Sequence, residues 1–136
     1  MTDPPLSPRE ALATMRIHAP TERNPRLSRF LEAANDSVKL KARWHVQQVT
    51  ATRMDMNDHS WVHLQIVLNR ALHLFRLLHR SGLESAMETD YGMSHKDAEV
   101  VIAGACLMHD LGMSIHRVDH EVYSLHLAAD LLDELL

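Results

Sequence analysis

Apolar residues along this chain recur at spacings of three and four, and no alternating run lasts long enough for a strand, so the pattern predicts an all-α fold. The longest patterned stretch is expected to start with Asn57 or Asp58 as N-cap and to run to about Arg80, before Gly82. Its apolar residues, from Trp61 and Val62 through Leu68, Leu72, Leu74 and Leu78, leave no fully polar stripe. That predicts a central helix contacted on most sides. A second apolar helix begins at Ser94-His95-Lys96-Asp97, which resembles a capping box, and its run from Val100 to Met108 ends in His109-Asp110. Asp119 is expected to cap a last helix in which Val122, Leu125, Ala129, Leu132 and Leu136 repeat at helical spacing.

Upstream, Asn24-Pro25 reads as a cap followed by a first-turn proline and starts a helix to about Ala34. A break at Asn35-Asp36-Ser37 precedes a helix from Val38 to about Arg53, with Leu40, Trp44 and Val49 as its apolar face. Ser7-Pro8-Arg9-Glu10 predicts a short helix to about Ile17. It lies in an N-terminal tail, residues 1–22, set apart because all five prolines fall within the first 25 residues. The expected architecture is a bundle of about five to six helices over residues 23–136. The last helix closes on Leu135-Leu136 without a stop signal, which predicts further chain, or a second copy in a homo-oligomer, to cover this apolar C-terminal helix.

Composition narrows the function classes. At 136 residues and 46% hydrophobic content the chain can bury a core, and a net charge of -4 provides no basic field for dedicated nucleic-acid binding. No apolar run approaches the ~20 residues of a membrane span, so no membrane association is expected. The single cysteine, Cys106, cannot form an internal disulfide and sits among small apolar residues, which points to a buried thiol and a cytoplasmic setting.

Eleven histidines are far more than a chain of this length usually carries, and their placement decides what they offer. His109 and Asp110, an imidazole and a carboxylate side by side where an apolar helix ends, are costly to bury without partners, and a divalent cation satisfies both. Gly112 then lets the chain turn out of the helix. On the long helix, His59 and His63 are four residues apart and face the same way. His63 lies deep enough for a neutral imidazole to ligate a metal. His59, expected in the first turn, sits where unpaired N–H groups favour an anion such as phosphate. His18, His45, His73, His79 and His95 read as surface or core residues.

The ordered set Asn57-Asp58-His59-Ser60-Trp61-Val62-His63, then Ile66-Val67, then His109-Asp110-Leu111-Gly112, resembles the HD-domain superfamily of metal-dependent phosphohydrolases. The resemblance covers roughly Asn57 to Leu136. It implies an HD-like bundle in which His63, His109 and Asp110 bind one or two divalent ions (Mn, Fe, Zn, Mg or Co), with Asp110 able to bridge. It makes His59 the proton donor, as in the similar cyclic-nucleotide phosphodiesterase branch. His120-Glu121 with Ser124 resembles the later His-Glu segment, so His120 and His116 become candidates for a second metal or the substrate.

Two departures accompany the likeness. The family's completing aspartate has only Asp130 and Asp133 as counterparts, and the lysine that often follows Asp-x-Gly is Met113, which leaves Arg117 as the candidate basic group for phosphate. The implied activity is hydrolysis of a phosphorylated small molecule, a nucleotide above all, as phosphomonoester or phosphodiester. A non-catalytic metal- or nucleotide-binding module and a purely structural helical interaction domain remain the alternatives.

Overall fold

The computed structural model describes residues 4–136, and all of its regular structure among them is helical. The α-helices are α1 (Pro8–Thr14), α2 (Pro25–Asp36), α3 (Val38–Arg53), α4 (Trp61–Arg80), α5 (Ala86–Thr89), α6 (His95–Met108) and α7 (His120–Leu135), with a 3-10 turn (Leu111–Ser114) between α6 and α7. The all-α expectation therefore holds. Six α-helices lie within residues 23–136, matching the expected five to six, and the sixth is the four-residue α5. Its start is held by Glu88, whose carboxylate accepts from the Ser85 N–H and hydroxyl, inside what reads in the sequence as a loop.

Local chemistry explains most helix ends. Asn24 Oδ1 accepts from the Leu27 N–H, and Ser37 both ends α2 and caps α3 by accepting from the Leu40 N–H. Ser94 and Asp97 cap each other's backbone at the start of α6, and Asp97 also pairs with Arg26 of α2. Bonds from the Ser94 backbone and hydroxyl, then from Arg26, hold the Asp97 carboxyl down at about 2.

α6 lies between α4 and α2, and the 3-10 turn is held between α3 and α7. The core beneath them contains Leu27, Phe30, Leu40, Trp44, Leu64, Leu68, Leu72, Leu107 and Leu131. Trp44 donates its indole N–H to the Leu107 carbonyl at 2.9 Å, fixing α3 against the end of α6. The buried Glu99 of α6 ties α4 and the start of α2 together, accepting from Arg76 of α4 (2.6 and 3.0 Å) and from the α2 cap Asn24 (2.8 Å). Burial pushes that carboxyl up, but the bonds from Arg76 and Asn24 outweigh it and hold it below its usual range.

Several expectations are corrected here. α1 stops at Thr14, because Met15 turns extended and carries Met15 and Ile17 into the core. The buried Asn35 accepts from the Ile17 N–H and donates to its carbonyl, so the proline-containing stretch is built into the domain from Met15 onward. α4 is not enclosed on most sides. It buries one line, Leu64, Leu68 and Leu72, while Val62, Ile66, Leu74, Leu77 and Leu78 are exposed. In α7 the expected apolar repeat is mostly turned outward, with Val122, Leu125 and Leu136 exposed and Ser124 and Leu131 buried instead. Asp119 occupies the N-cap position but in a left-handed conformation (φ 58°), and its side chain caps nothing. No helix among the described residues is long and apolar enough to cross a membrane.

The one-sided burial of α4 predicts unequal mutational costs. Leu68→Ala should cost about 2–5 kcal/mol of unfolding free energy, and Ile66→Ala within about 0.5 kcal/mol, measured by urea denaturation. Equal losses at the two positions would contradict this packing.

Candidate metal centre

The end of α6 delivers two neighbouring side chains into one place. His109 is the C-cap residue of α6 and Asp110 opens the 3-10 turn, so the imidazole and the carboxylate leave the helix together. His63 reaches the same point from the first turn of α4, as its third residue rather than more than a turn into the helix as the sequence suggests. One ligand atom each from His63, His109 and Asp110 lie within 4.8 Å of one another, and the His63 and His109 ring centroids are 6.3 Å apart.

Two further imidazoles complete the surroundings of Asp110, which is only 5% exposed. His59 Nδ1 is 2.8 Å from Asp110 Oδ2, and His120 Nε2 is 3.5 Å from Asp110 Oδ1. Burial pushes the Asp110 carboxyl up, but the bonds and charge of His109 and His59 prevail and hold it far below the usual carboxylate range. It is therefore an acceptor, and the proton of the His59 contact resides on Nδ1.

The tautomers of His109 and His120 follow by similar reasoning. Each sets Nδ1 2.9 Å from a backbone carbonyl, of Cys106 and of Arg117 respectively, and a carbonyl can only accept. Both rings thus present Nε2 toward Asp110, His109 at 3.2 Å. Such outer bonds orient metal-ligating imidazoles. Between Nε2 and a carboxylate oxygen there must be either a proton or a cation. The contact with Asp110 raises the His109 pKa above its ordinary value, with burial opposing.

His59 lies outside the helix, contrary to its expected place in the first turn. Ser60, not Asn57 or Asp58, is the N-cap of α4, and the Asp58 carboxylate is spent on the Ser60 N–H and hydroxyl. The backbone of His59 is instead gripped by α3. Its N–H donates to Gln48 Oε1 (3.2 Å) and its carbonyl accepts from Gln47 Nε2 (2.9 Å). His59 is therefore a partner of Asp110 rather than part of an anion site on helix N–H groups.

The apposition of α7 depends on Gly112 and Ser124. The Gly112 N–H donates to Ser124 Oγ and the Ser124 hydroxyl donates to the His109 carbonyl, both at 2.8 Å. A Cβ on Gly112 would fall on the His120 carbonyl, 2.7 Å from its carbon and 2.8 Å from the Ser124 nitrogen. Gly112 is thus needed for close approach rather than for turning the chain, since its φ is not positive.

His116 and Arg117 are exposed and outside this cluster. His116 Nδ1 accepts from the Val118 N–H, and Arg117 contributes its carbonyl to His120. Asp130 and Asp133 are exposed on α7 and supply no further carboxylate. Gln47, Gln48 and Ser124 escaped sequence reasoning as positioning residues because they act across helices, at no fixed spacing from the side chains they hold.

No family model matches the chain, and no solved structure matches it. Over 84 residues it is 33% identical to the uncharacterized protein MJ1020 of Methanocaldococcus jannaschii, a stretch amounting to 62% of this chain and 32% of that protein. The chain thus spans about a third of the length of this curated relative.

The Gly112–Ser124 contact predicts graded damage. Ser124→Ala, which strands the Gly112 N–H and the His109 carbonyl, should cost about 1–3 kcal/mol. Gly112→Ala should cost more and displace His120, seen as changed His120 ring resonances in NMR. A Gly112→Ala protein as stable as the parent would contradict the close approach.

Proposed function

We propose that this chain is an HD-type metal-dependent phosphohydrolase acting on a phosphomonoester or phosphodiester, with nucleotides as the favoured substrates. The reading is carried by the convergence of His63, His109 and Asp110 within 4.8 Å, beside His59 and His120. Two imidazole nitrogens and a carboxylate oxygen suit a divalent ion such as Mn, Fe, Zn, Mg or Co, and the buried Asp110 amid imidazoles is the environment such an ion balances. When bound, that ion supplies an activated water and compensates charge on a phosphoryl oxygen.

The chain's own groups then have defined tasks. His63 and His109 hold the ion through imidazole nitrogens, and Asp110 holds it through a carboxylate oxygen while anchoring His59 Nδ1. That bond leaves His59 Nε2 facing the substrate, and when the ring is the doubly protonated imidazolium it gives its Nε2 proton to the leaving oxygen and becomes neutral, a role worth about 10²- to 10⁴-fold. His120, 3.5 Å from Asp110, is placed for a second ion or the substrate. Arg117 and His116, on the exposed loop before α7, are the groups available to an incoming phosphate. A cytoplasmic setting agrees with the buried Cys106 thiol, which burial pushes up and makes unreactive.

A non-catalytic metal- or nucleotide-binding module is the second reading. It is favoured by one observation: Asp110 is the single carboxylate of the cluster among the described residues, since Asp130 and Asp133 are turned outward.

A screen of phosphate esters with Mn²⁺ tests the choice. Hydrolysis is expected, abolished by chelator, and reduced about 10²- to 10⁴-fold in His59→Asn. His63→Ala and Asp110→Ala should lose both metal and turnover. Metal retained undiminished in both of those variants would overturn the metal assignment, and tight nucleotide binding without product would select the second reading.

A further inference from the structure

At the other end of α4, three side chains come together that the first centre does not use. His79 lies in the last turn of α4, Glu88 in α5 and His95 at the first position of α6. We propose that His79, Glu88 and His95 form a second, independent site for a Zn²⁺-class transition-metal ion, clasping the connection between α4 and α6. His79 is sixteen residues beyond His63, about 24 Å along the helix axis, so the two sites cannot share an ion.

The geometry supports this in three ways. First, one ligand atom from each of the three residues lies within 4.8 Å of the others. Tetrahedral zinc with bonds of about 2.0–2.1 Å holds its ligand atoms about 3.4 Å apart, so side-chain shifts of about 1 Å close the site. Second, His79 Nδ1 is sealed from solvent and has no hydrogen-bond partner. It faces Glu88 Oε1 at 3.8 Å, too far for a hydrogen bond and open enough for an ion to draw both in. A buried imidazole nitrogen left unpaired is otherwise a cost without a return.

Third, Glu88 is already held as a ligand should be. Its Oε2 accepts from the Ser85 N–H (2.8 Å) and hydroxyl (2.9 Å), which fixes the carboxylate and leaves Oε1 free. His79 and His95 stack nearly parallel with ring centroids 4.2 Å apart, so binding requires one ring to rotate out of the stack until both nitrogens point at the ion. Both rings line a cleft of about 390 Å³, so a coordination position is left open to water or a small ligand. Arg76 in the same cleft is neutralised by Glu99, while Arg23, Arg80 and Lys96 also line it beside Glu22, so a bound cation depends on the Glu88 carboxylate for its charge balance. Two imidazoles and one carboxylate favour Zn²⁺, Co²⁺ or Ni²⁺ over Mg²⁺ and Ca²⁺.

The test uses the full chain carrying His63→Ala and His109→Ala, which removes the first centre and keeps the two proposals separable. Equilibrium dialysis against Zn²⁺ with elemental analysis should give one ion per chain in this background, and Zn²⁺ should raise its thermal midpoint. Adding His79→Ala or His95→Gln should reduce the ratio to zero and abolish that rise, with helical circular dichroism retained. Ser85→Ala, which touches no ligand atom, should weaken Zn²⁺ binding about 10- to 100-fold. No zinc in the background chain, or zinc undiminished by both His79→Ala and His95→Gln, would overturn the second site.

Discussion

One buried carboxylate organises the functional end of this molecule. Asp110 is enclosed, ionised and in contact with imidazoles from three directions. An isolated buried carboxylate is very expensive and normally escapes by taking up a proton. Here its neighbours oppose that escape, so the negative charge must be balanced in place, by imidazolium protons or by a metal ion. Everything around Asp110 serves to keep nitrogen donors aimed at it.

That aim is maintained by backbone groups more than by side-chain packing. The carbonyls of Cys106 and Arg117 set the rings of His109 and His120, and Gln47 and Gln48 hold His59 by its main chain. Ser124 and Gly112 lock α7 onto the turn that carries Asp110, at a separation only a glycine tolerates. The same logic recurs around Glu88, where a capping serine fixes one carboxylate oxygen and leaves the other free. In both places a helix-end hydrogen bond also orients a side chain that the proposed sites would use as a ligand.

Features governed by short-range chemistry were legible in the sequence. The caps at Ser7, Asn24, Ser37 and Ser94 fix helix starts through bonds three residues long, and the exit of His109-Asp110 from an apolar helix could be read directly. Where several cap-forming residues are adjacent the choice is degenerate. Asn57, Asp58 and Ser60 compete, and the success of Ser60 moves His59 out of the helix and changes its chemistry. Helix rotation was equally ambiguous, since α4 and α7 carry apolar residues around most of their circumference and any face can be the buried one. The pairing of His79 with His95 depends on how a short connection folds back, and α5 gives no periodic signal to reveal it.

The account rests on His63, His109 and Asp110 sharing one cation. Diffraction from crystals grown with Mn²⁺, recorded with the anomalous signal of manganese, measures this directly. A single strong peak within about 2.0–2.3 Å of an imidazole nitrogen of His63, an imidazole nitrogen of His109 and an Asp110 oxygen is the predicted result, by ordinary coordination distances. Asp110 bonded only to protonated histidines, with no peak among the three, would contradict it.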